Sequence, residues 1–271
     1  MEHHHPEADF SAMAEVLDLD AEVLHSYLSE VIDRAHERGG EPRRILDLGS
    51  GTGAGALALA RRFPEAEVIA LDLSGPLLDR LRDKARDLGV ADRISVVEAD
   101  VDAGWPAIDP VDLVWASASL HHLADPDRVL ADVLATLRPG GLLVVAEIDS
   151  FPRFLSDEAG RGLEERCQAI LDERRAAELP HIGSDWGARL TKAGYRAVAE
   201  RTFAIELTSP LPASAGRYAQ ATLRRMRSGL DGRLSADDLA LMDALIDGPQ
   251  SVLNRDDLAV RTTRTVWMAG S

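Results

Sequence analysis

A nine-residue stretch, Asp47-Leu48-Gly49-Ser50-Gly51-Thr52-Gly53-Ala54-Gly55, constrains the backbone more than any other part of this sequence. Ahead of it, Arg43-Arg44-Ile45-Leu46 leads into an apolar strand, and behind it Ala56-Leu57-Ala58-Leu59-Ala60-Arg61-Arg62 reads as a helix. Glycines admit positive φ and let a ligand lie directly against main-chain atoms. The helix that follows points unpaired N–H groups at the same place. A strand, a glycine turn and a helix in that order therefore predict a ligand at the turn. No Lys follows Gly53 or Gly55, which sets the stretch apart from a P-loop. Asp47 stands where it would repel a pyrophosphate, and the glycines do not follow Gly-x-Gly-x-x-Gly cleanly, so a cationic ligand fits better than a dinucleotide.

Asp47-x-Gly49-x-Gly51-x-Gly53 resembles the first motif of the class I S-adenosylmethionine-dependent methyltransferases. The resemblance implies a cofactor with a sulfonium and an ammonium, S-adenosyl-L-methionine, which leaves as S-adenosyl-L-homocysteine. It places Asp47, Gly49, Ser50, Gly51, Thr52 and Gly53 against that cofactor. Ala66-Glu67-Val68-Ile69-Ala70-Leu71 is the second strand and ends on Asp72. Ligands of open parallel sheets lie beyond the carboxyl ends of the strands, and an acid about 20 positions after the glycines accepts from both ribose hydroxyls. Asp72, with Leu73 beside it, matches the ribose-binding position of the family. Capping the helix from Pro76 is its other available role, although Ser74 is better placed to cap.

Arg93-Ile94-Ser95-Val96-Val97-Glu98-Ala99-Asp100 is the third strand running into another acid. Asp100-Val101 resembles the family's adenine-contacting pair, and a turn Asp ahead of Gly104-Trp105-Pro106 is the plainer alternative. Val111-Asp112-Leu113-Val114-Trp115 continues into Ala116-Ser117-Ala118-Ser119-Leu120-His121-His122, the fourth strand and its loop. Family members acting on small molecules carry a similar Leu-His-His, which implies cofactor contacts at Ala116 and Ser117 and places His121 or His122 near the rim. The Asn/Asp-Pro-Pro-Tyr/Phe of enzymes that methylate base or glutamine nitrogens is missing here. Leu137-Arg138-Pro139-Gly140-Gly141 is a further family mark before the fifth strand, Leu142-Leu143-Val144-Val145-Ala146-Glu147. Its Pro and glycines need no function beyond stopping a helix and turning the chain.

Residues 45–147 thus alternate five strands with helices, an α/β pattern. The resemblance implies a doubly wound, seven-stranded, mostly parallel sheet of Rossmann-like methyltransferase type. Its sixth strand is expected over residues 194–205, and its last, over 258–268, is expected to run antiparallel. Helical runs near 214–227 and 235–247 are expected as a cap inserted near the C-terminus, over a pocket for a small molecule. The predicted organisation is a tail and helices over 1–40, a cofactor-binding core over 41–150, and completion of the sheet with the cap over 151–271. Apolar spacing predicts leading helices over 10–16 and 21–35, with Asp20 as N-cap and Gly39-Gly40 as stop. They lie over the cleft or only cover a sheet edge. His3-His4-His5 reads as a terminal tail, and no metal site is expected.

The net charge of −16 argues against a nucleic-acid partner. Cys167 is the only cysteine, which excludes an internal disulfide and reads as a small helix-face residue. No apolar run approaches the roughly 20 residues of a membrane span, and the N-terminus lacks a signal-peptide layout. A cytoplasmic protein without a membrane partner is expected, with a homodimer left open. Leu223-Arg224-Arg225-Met226-Arg227 is either a solvated helix face or a partner for an acidic substrate.

The expected activity is in-line transfer of a methyl group to O, N or C of a small molecule, where alignment contributes about 7–11 kcal/mol. If the acceptor must lose a proton, His121, His122 or His181 is the candidate base. An unperturbed imidazole titrates near ~6.5, and general-base assistance is worth roughly 10² to 10⁴. Each is otherwise a loop residue bonded to backbone. The alternatives are a catalytically idle cofactor-binding or interaction protein of the same fold, and an NAD(P)-dependent oxidoreductase, which Asp47 and the glycine spacing disfavour.

Overall fold

A computed structural model describes residues 6–230 and 232–271; His3, His4 and His5 lie outside the described residues. In chain order the elements are α1 (Pro6–Val23), α2 (His25–Gly39), β1 (Arg44–Leu48), α3 (Ala54–Arg62), β2 (Glu67–Asp72), α4 (Gly75–Asp87), β3 (Ile94–Glu98), β4 (Val111–Ser117), α5 (Pro126–Thr136) and β5 (Leu137–Arg153). There follow α6 (Asp157–Gly160), α7 (Leu163–Glu178), α8 (Trp186–Ala193), β6 (Arg196–Leu207), α9 (Ala215–Gly229), α10 (Ala236–Ile246) and β7 (Val260–Gly270).

The strands form one sheet in the order β3-β2-β1-β4-β5-β7-β6. β1 pairs in parallel with β2 and β4, β2 with β3, and β4 with β5. β7 runs the other way along β5: Ser271 N donates to Gly141 O, Thr263 N to Ser150 Oγ and Ala259 N to Phe154 O. The mostly parallel, doubly wound sheet is the expected fold class. The central strands read as near-continuous apolar runs because helices cover both faces of such a sheet. Ile45, Leu46, Val114, Val144 and Val145 are fully buried, as are Leu59 of α3, Leu78 and Leu81 of α4, and Leu130 and Val133 of α5. Each such side chain contributes about 1.5–3 kcal/mol relative to exposure. The strand order reverses between β1 and β4, which puts the ligand crevice at their carboxyl ends.

Local signals account for most helix ends. Asp125 accepts from Arg128 N at 3.1 Å and Pro126 opens α5. Asp185 caps α8 through Ala188 N at 2.8 Å, and Ser235 caps α10 through Asp238 N at 3.1 Å. Three expectations need correction. Asp20 is not an N-cap: it lies inside α1, where its carboxylate accepts from the Tyr218 hydroxyl, and the break between the leading helices falls at Leu24. Ser74 occupies the N-cap position of α4 but its side chain makes no capping bond. β5 begins at Leu137 and takes in the Arg-Pro-Gly-Gly turn, with a register shift against β4 between Val111 and Leu113.

Contacts divide the chain into two compact units. One holds residues 25–149, 181–203 and 264–271, including most of the sheet. The other comprises the chain up to Leu24, residues 150–180 and residues 204–263. Within this second unit α9 packs against both α1 and α10, and the rings of Phe154 and Tyr218 meet edge to face at 5.2 Å. The buried Glu164 carboxylate accepts from Phe154 N and Leu155 N at 2.8 and 2.9 Å. Cys167 is fully buried, and burial pushes its thiol up to about 11, so it packs as a small apolar residue. Arg224 pairs with Asp247 and Arg227 with Asp243, so these two arginines of the basic run serve the α9–α10 contact. No helix among the described residues is long and apolar enough to cross a membrane.

Candidate functional site

The turn after β1 is folded back onto β2: Gly49 N and Ser50 N both donate to Leu71 O, at 2.8 and 2.9 Å. Gly49 has φ 72°, and a Cβ there would sit 2.4 Å from the Ser119 Cβ. Gly53 has φ 87°, and a Cβ there would sit 2.4 Å from the Leu81 Cγ. Both positions combine a left-handed backbone with a close approach, which only glycine accommodates. α3 starts directly after Gly53 and directs its N-terminus at the turn.

Asp47 sits near the carboxyl end of β1, opposite Ala70 of β2 and Trp115 of β4. It is 2% exposed, and Oδ2 has no hydrogen-bond partner. Burial pushes its carboxyl from 3.8 up to about 7; the Ala56 backbone N–H pulls the other way and the Asp72 charge adds to the rise. Trp115 Nε1, Ser50 Oγ and Thr52 Oγ1 are likewise buried without partners. A Cβ on Gly55 would lie 2.9 Å from both Asp47 Oδ2 and Trp115 Nε1, so the first turn of α3 rests directly on this pair. Buried polar atoms are nearly always bonded, and a cluster left unbonded calls for an explanation.

Asp72 ends β2, half-buried. Its Oδ2 accepts from Gly51 N and its Oδ1 from Ser74 N, each at 2.8 Å. Asp72, rather than the Ser74 side chain, thus ties the glycine turn to the start of α4. A carboxylate has about four lone-pair sites, so each oxygen keeps capacity for a further donor. Leu73 beside it is 66% exposed, an uncovered apolar side chain at the strand end. Asp100 is exposed, and its Oδ1 accepts from Asp102 N at 2.9 Å and Ala103 N at 3.4 Å, the geometry of a turn acid. The Val101 side chain belongs to the core and its carbonyl accepts from Arg128.

β4 presents Ala116 to the core, fully buried opposite Val145, while Ser117 opposite Ala146 is half-buried. Ala118 turns the chain with φ 52°, and the Ser119 hydroxyl donates to Leu48 O at 2.8 Å, fastening the β4 loop to the glycine turn. Leu120–His122 form a single 3-10 turn. His121 is buried with Nδ1 2.5 Å from Glu147 Oε2, and Leu120 N donates to Glu147 Oε1 at 3.1 Å. His122 is exposed, its ring 4.2 Å from that of His121. His181 bonds Arg189 through Nδ1 at 3.1 Å, and Arg189 pairs with Asp127. Glu147, Trp115 and Ser119 were missed as site residues by sequence reasoning. The one signal for Glu147 was an acid at the carboxyl end of an apolar strand, as at Asp72 and Asp100.

Residues 45–141 match the family model of the methyltransferase domain. Malonyl-[acyl-carrier protein] O-methyltransferase of Laribacter hongkongensis is 42% identical over 112 residues, 40% of this chain and 38% of that protein. Methyltransferase GfsG of Streptomyces halstedii is 35% identical over 167 residues, 62% of this chain and 57% of that protein. The chain thus spans less than two thirds of the length of these curated relatives. A methyltransferase-fold structure from Bacillus halodurans C-125 aligns with TM-score 0.56 and 18% identity, over 90% of this chain and 98% of that one. Over residues 45–141, about a third of its length, the chain is thus similar to a methyltransferase domain, and the solved structure shares its fold.

Proposed function

We propose that this protein binds S-adenosylmethionine at the turn after β1 and transfers its methyl group to a small-molecule acceptor. The observation that carries this reading is the Asp47 carboxyl, buried, held near neutrality and lacking a partner on Oδ2, beside a glycine cradle. A ligand with an ammonium beside a sulfonium supplies the positive charge and donors such a group requires, whereas a pyrophosphate does not. The fit extends to Asp72, which has lone pairs to spare for a diol, and to the exposed Leu73, which offers an apolar surface to a planar ring.

When bound, the cofactor supplies an activated methyl group, and the chain's contribution is to bind, orient and exclude water. The Gly49 amide, Ser119 hydroxyl and Asp72 carboxylate join the ends of β1, β2 and β4 to one another, so the groups facing a ligand are fixed before it arrives. Such preorganisation is where positioning energy comes from. The O-methyltransferase among the relatives supports an oxygen acceptor. Titration calorimetry with S-adenosylmethionine, S-adenosylhomocysteine and NADH tests the reading. Binding of the first two, no heat with NADH and loss of binding in Asp72→Ala are expected; binding of NADH alone would overturn it.

A further inference from the structure

We propose that His121 and Glu147 form a proton-accepting dyad, with His121 Nε2 as the catalytic base and Glu147 as its positioning residue, and that the methyl acceptor is a neutral hydroxyl. The proposal rests on the methyl-transfer reading above. Both side chains stand at the carboxyl edge of the sheet, His121 in the turn after β4 and Glu147 near the end of the neighbouring parallel stretch of β5. They are 8% and 6% exposed, and the 2.5 Å contact from Nδ1 to Oε2 is their closest approach. A carboxylate can only accept, so the shared hydrogen belongs to Nδ1 and the lone pair of the neutral ring is at Nε2.

Glu147 is held on its second side by Leu120 N, which fixes the carboxylate plane and with it the ring. A purely structural acid would be satisfied by that amide and the imidazole together. What such a role leaves unexplained is Nε2: among the described residues nothing bonds to it, and it is not one of the buried unpartnered atoms, so it keeps an accessible edge. A base with its hydrogen-bonded side buried and its lone pair accessible is the arrangement that triad-type sites share.

The acceptor class follows from what such a base can change. A carboxylate acceptor is already ionised, and a neutral amine attacks through its own lone pair. A hydroxyl must shed a proton as it attacks. Its oxygen bonds to the methyl carbon while the carbon–sulfur bond breaks, the electron pair going to sulfur and the hydroxyl proton to Nε2. The positive charge lost from sulfur thus arrives on the His121 ring, against the Glu147 carboxylate, and leaves as the proton passes to water. The dyad therefore separates hydroxyl acceptors from the carboxylate implied by the name of the Laribacter relative.

The test uses the full chain with ¹⁵N-labelled histidine, wild type and Glu147→Gln, read by the ring-nitrogen shifts of His121 at pH 8. It is paired with transfer of labelled methyl from S-adenosylmethionine to a panel of phenols, alkanols, carboxylic acids and amines. Expected are an Nδ1–H, Nε2-unprotonated ring in wild type, a mixed tautomer in Glu147→Gln, and transfer to hydroxyl members of the panel. His121→Gln should lose about 10² or more in kcat, with S-adenosylmethionine affinity within about twofold. Glu147→Gln should lose about tenfold, with partial recovery in Glu147→Asp. An Nε2–H ring in wild type, unchanged kcat in His121→Gln, transfer only to acids or amines, or transfer to no member of the panel overturns the dyad while leaving cofactor binding intact. Failure of wild type to bind S-adenosylmethionine overturns the methyl-transfer reading as well.

Discussion

Asp47 at the end of β1 is 2% exposed and leaves Oδ2 unbonded, whereas Asp100 just beyond β3 is exposed and gives its Oδ1 to the amides of Asp102 and Ala103. Both acids stand at strand ends on the same edge of one sheet. Asp100 is accounted for by its own turn, and a ligand is an addition to it. Asp47 has no such account, since burial works against its charge and outweighs the Ala56 backbone N–H that favours it. Asp72 lies between the two, bonded on both oxygens by backbone donors and still able to accept more. Satisfaction by the chain, rather than residue type or position, is what separates an acid that holds a turn from one that waits for a cation.

The largest expected effect belongs to the cradle itself. Gly49→Ala places a Cβ 2.4 Å from the Ser119 Cβ at a φ of 72°, and strain plus overpacking should cost about 2–4 kcal/mol, read as a fall in the urea midpoint together with loss of cofactor binding. Asp47→Asn should weaken S-adenosylmethionine by about 1.5–3 kcal/mol, the worth of a hydrogen bond to a charged group, while leaving the unliganded chain as stable as wild type at pH 8 or more so. A pH series sharpens the contrast. The folded unliganded chain holds the Asp47 proton up to about 7, against 3.8 for an ordinary Asp. Between those values the folded state binds more protons than the unfolded one, so this group's contribution to stability falls as pH rises, by at most ~1.4 kcal/mol per pH unit, and is level outside that window. The difference between wild-type and Asp47→Asn urea midpoints across pH 4 to 8 reads it. Asp100→Ala should have the smallest effect, under about 1 kcal/mol on stability by the same midpoint measurement, since only an exposed turn bond is lost.

Where the chain's chemistry is local, the sequence made it legible. The glycines of 49–53 and the acids at 47, 72 and 100 mark strand ends because a turn must form where an apolar run stops, and five strands followed from those runs alone. The break between α1 and α2 was misplaced because apolar spacing continues across Leu24, and Asp20, which resembles a cap, is used by Tyr218 from 198 residues away. Glu147 carries in the sequence only the mark of an acid at a strand end: its pairing is with His121, 26 residues earlier, and no local pattern records it. Glu164, buried beneath the amides of Phe154 and Leu155, takes its role from residues ten and nine positions earlier, outside its own helix.

The most direct test of the Asp47 account is calorimetry of S-adenosylmethionine binding at pH 6 and pH 7.5, each in two buffers of different ionisation enthalpy, on wild type and Asp47→Asn. With a carboxyl at about 7 in the free protein, binding to wild type should release close to one proton at pH 6 and a small fraction of one at pH 7.5. The affinity should improve nearly tenfold between the two, and Asp47→Asn should show neither change. Equal affinity at both pH values with no proton released at pH 6, or unimpaired binding by Asp47→Asn, would contradict it.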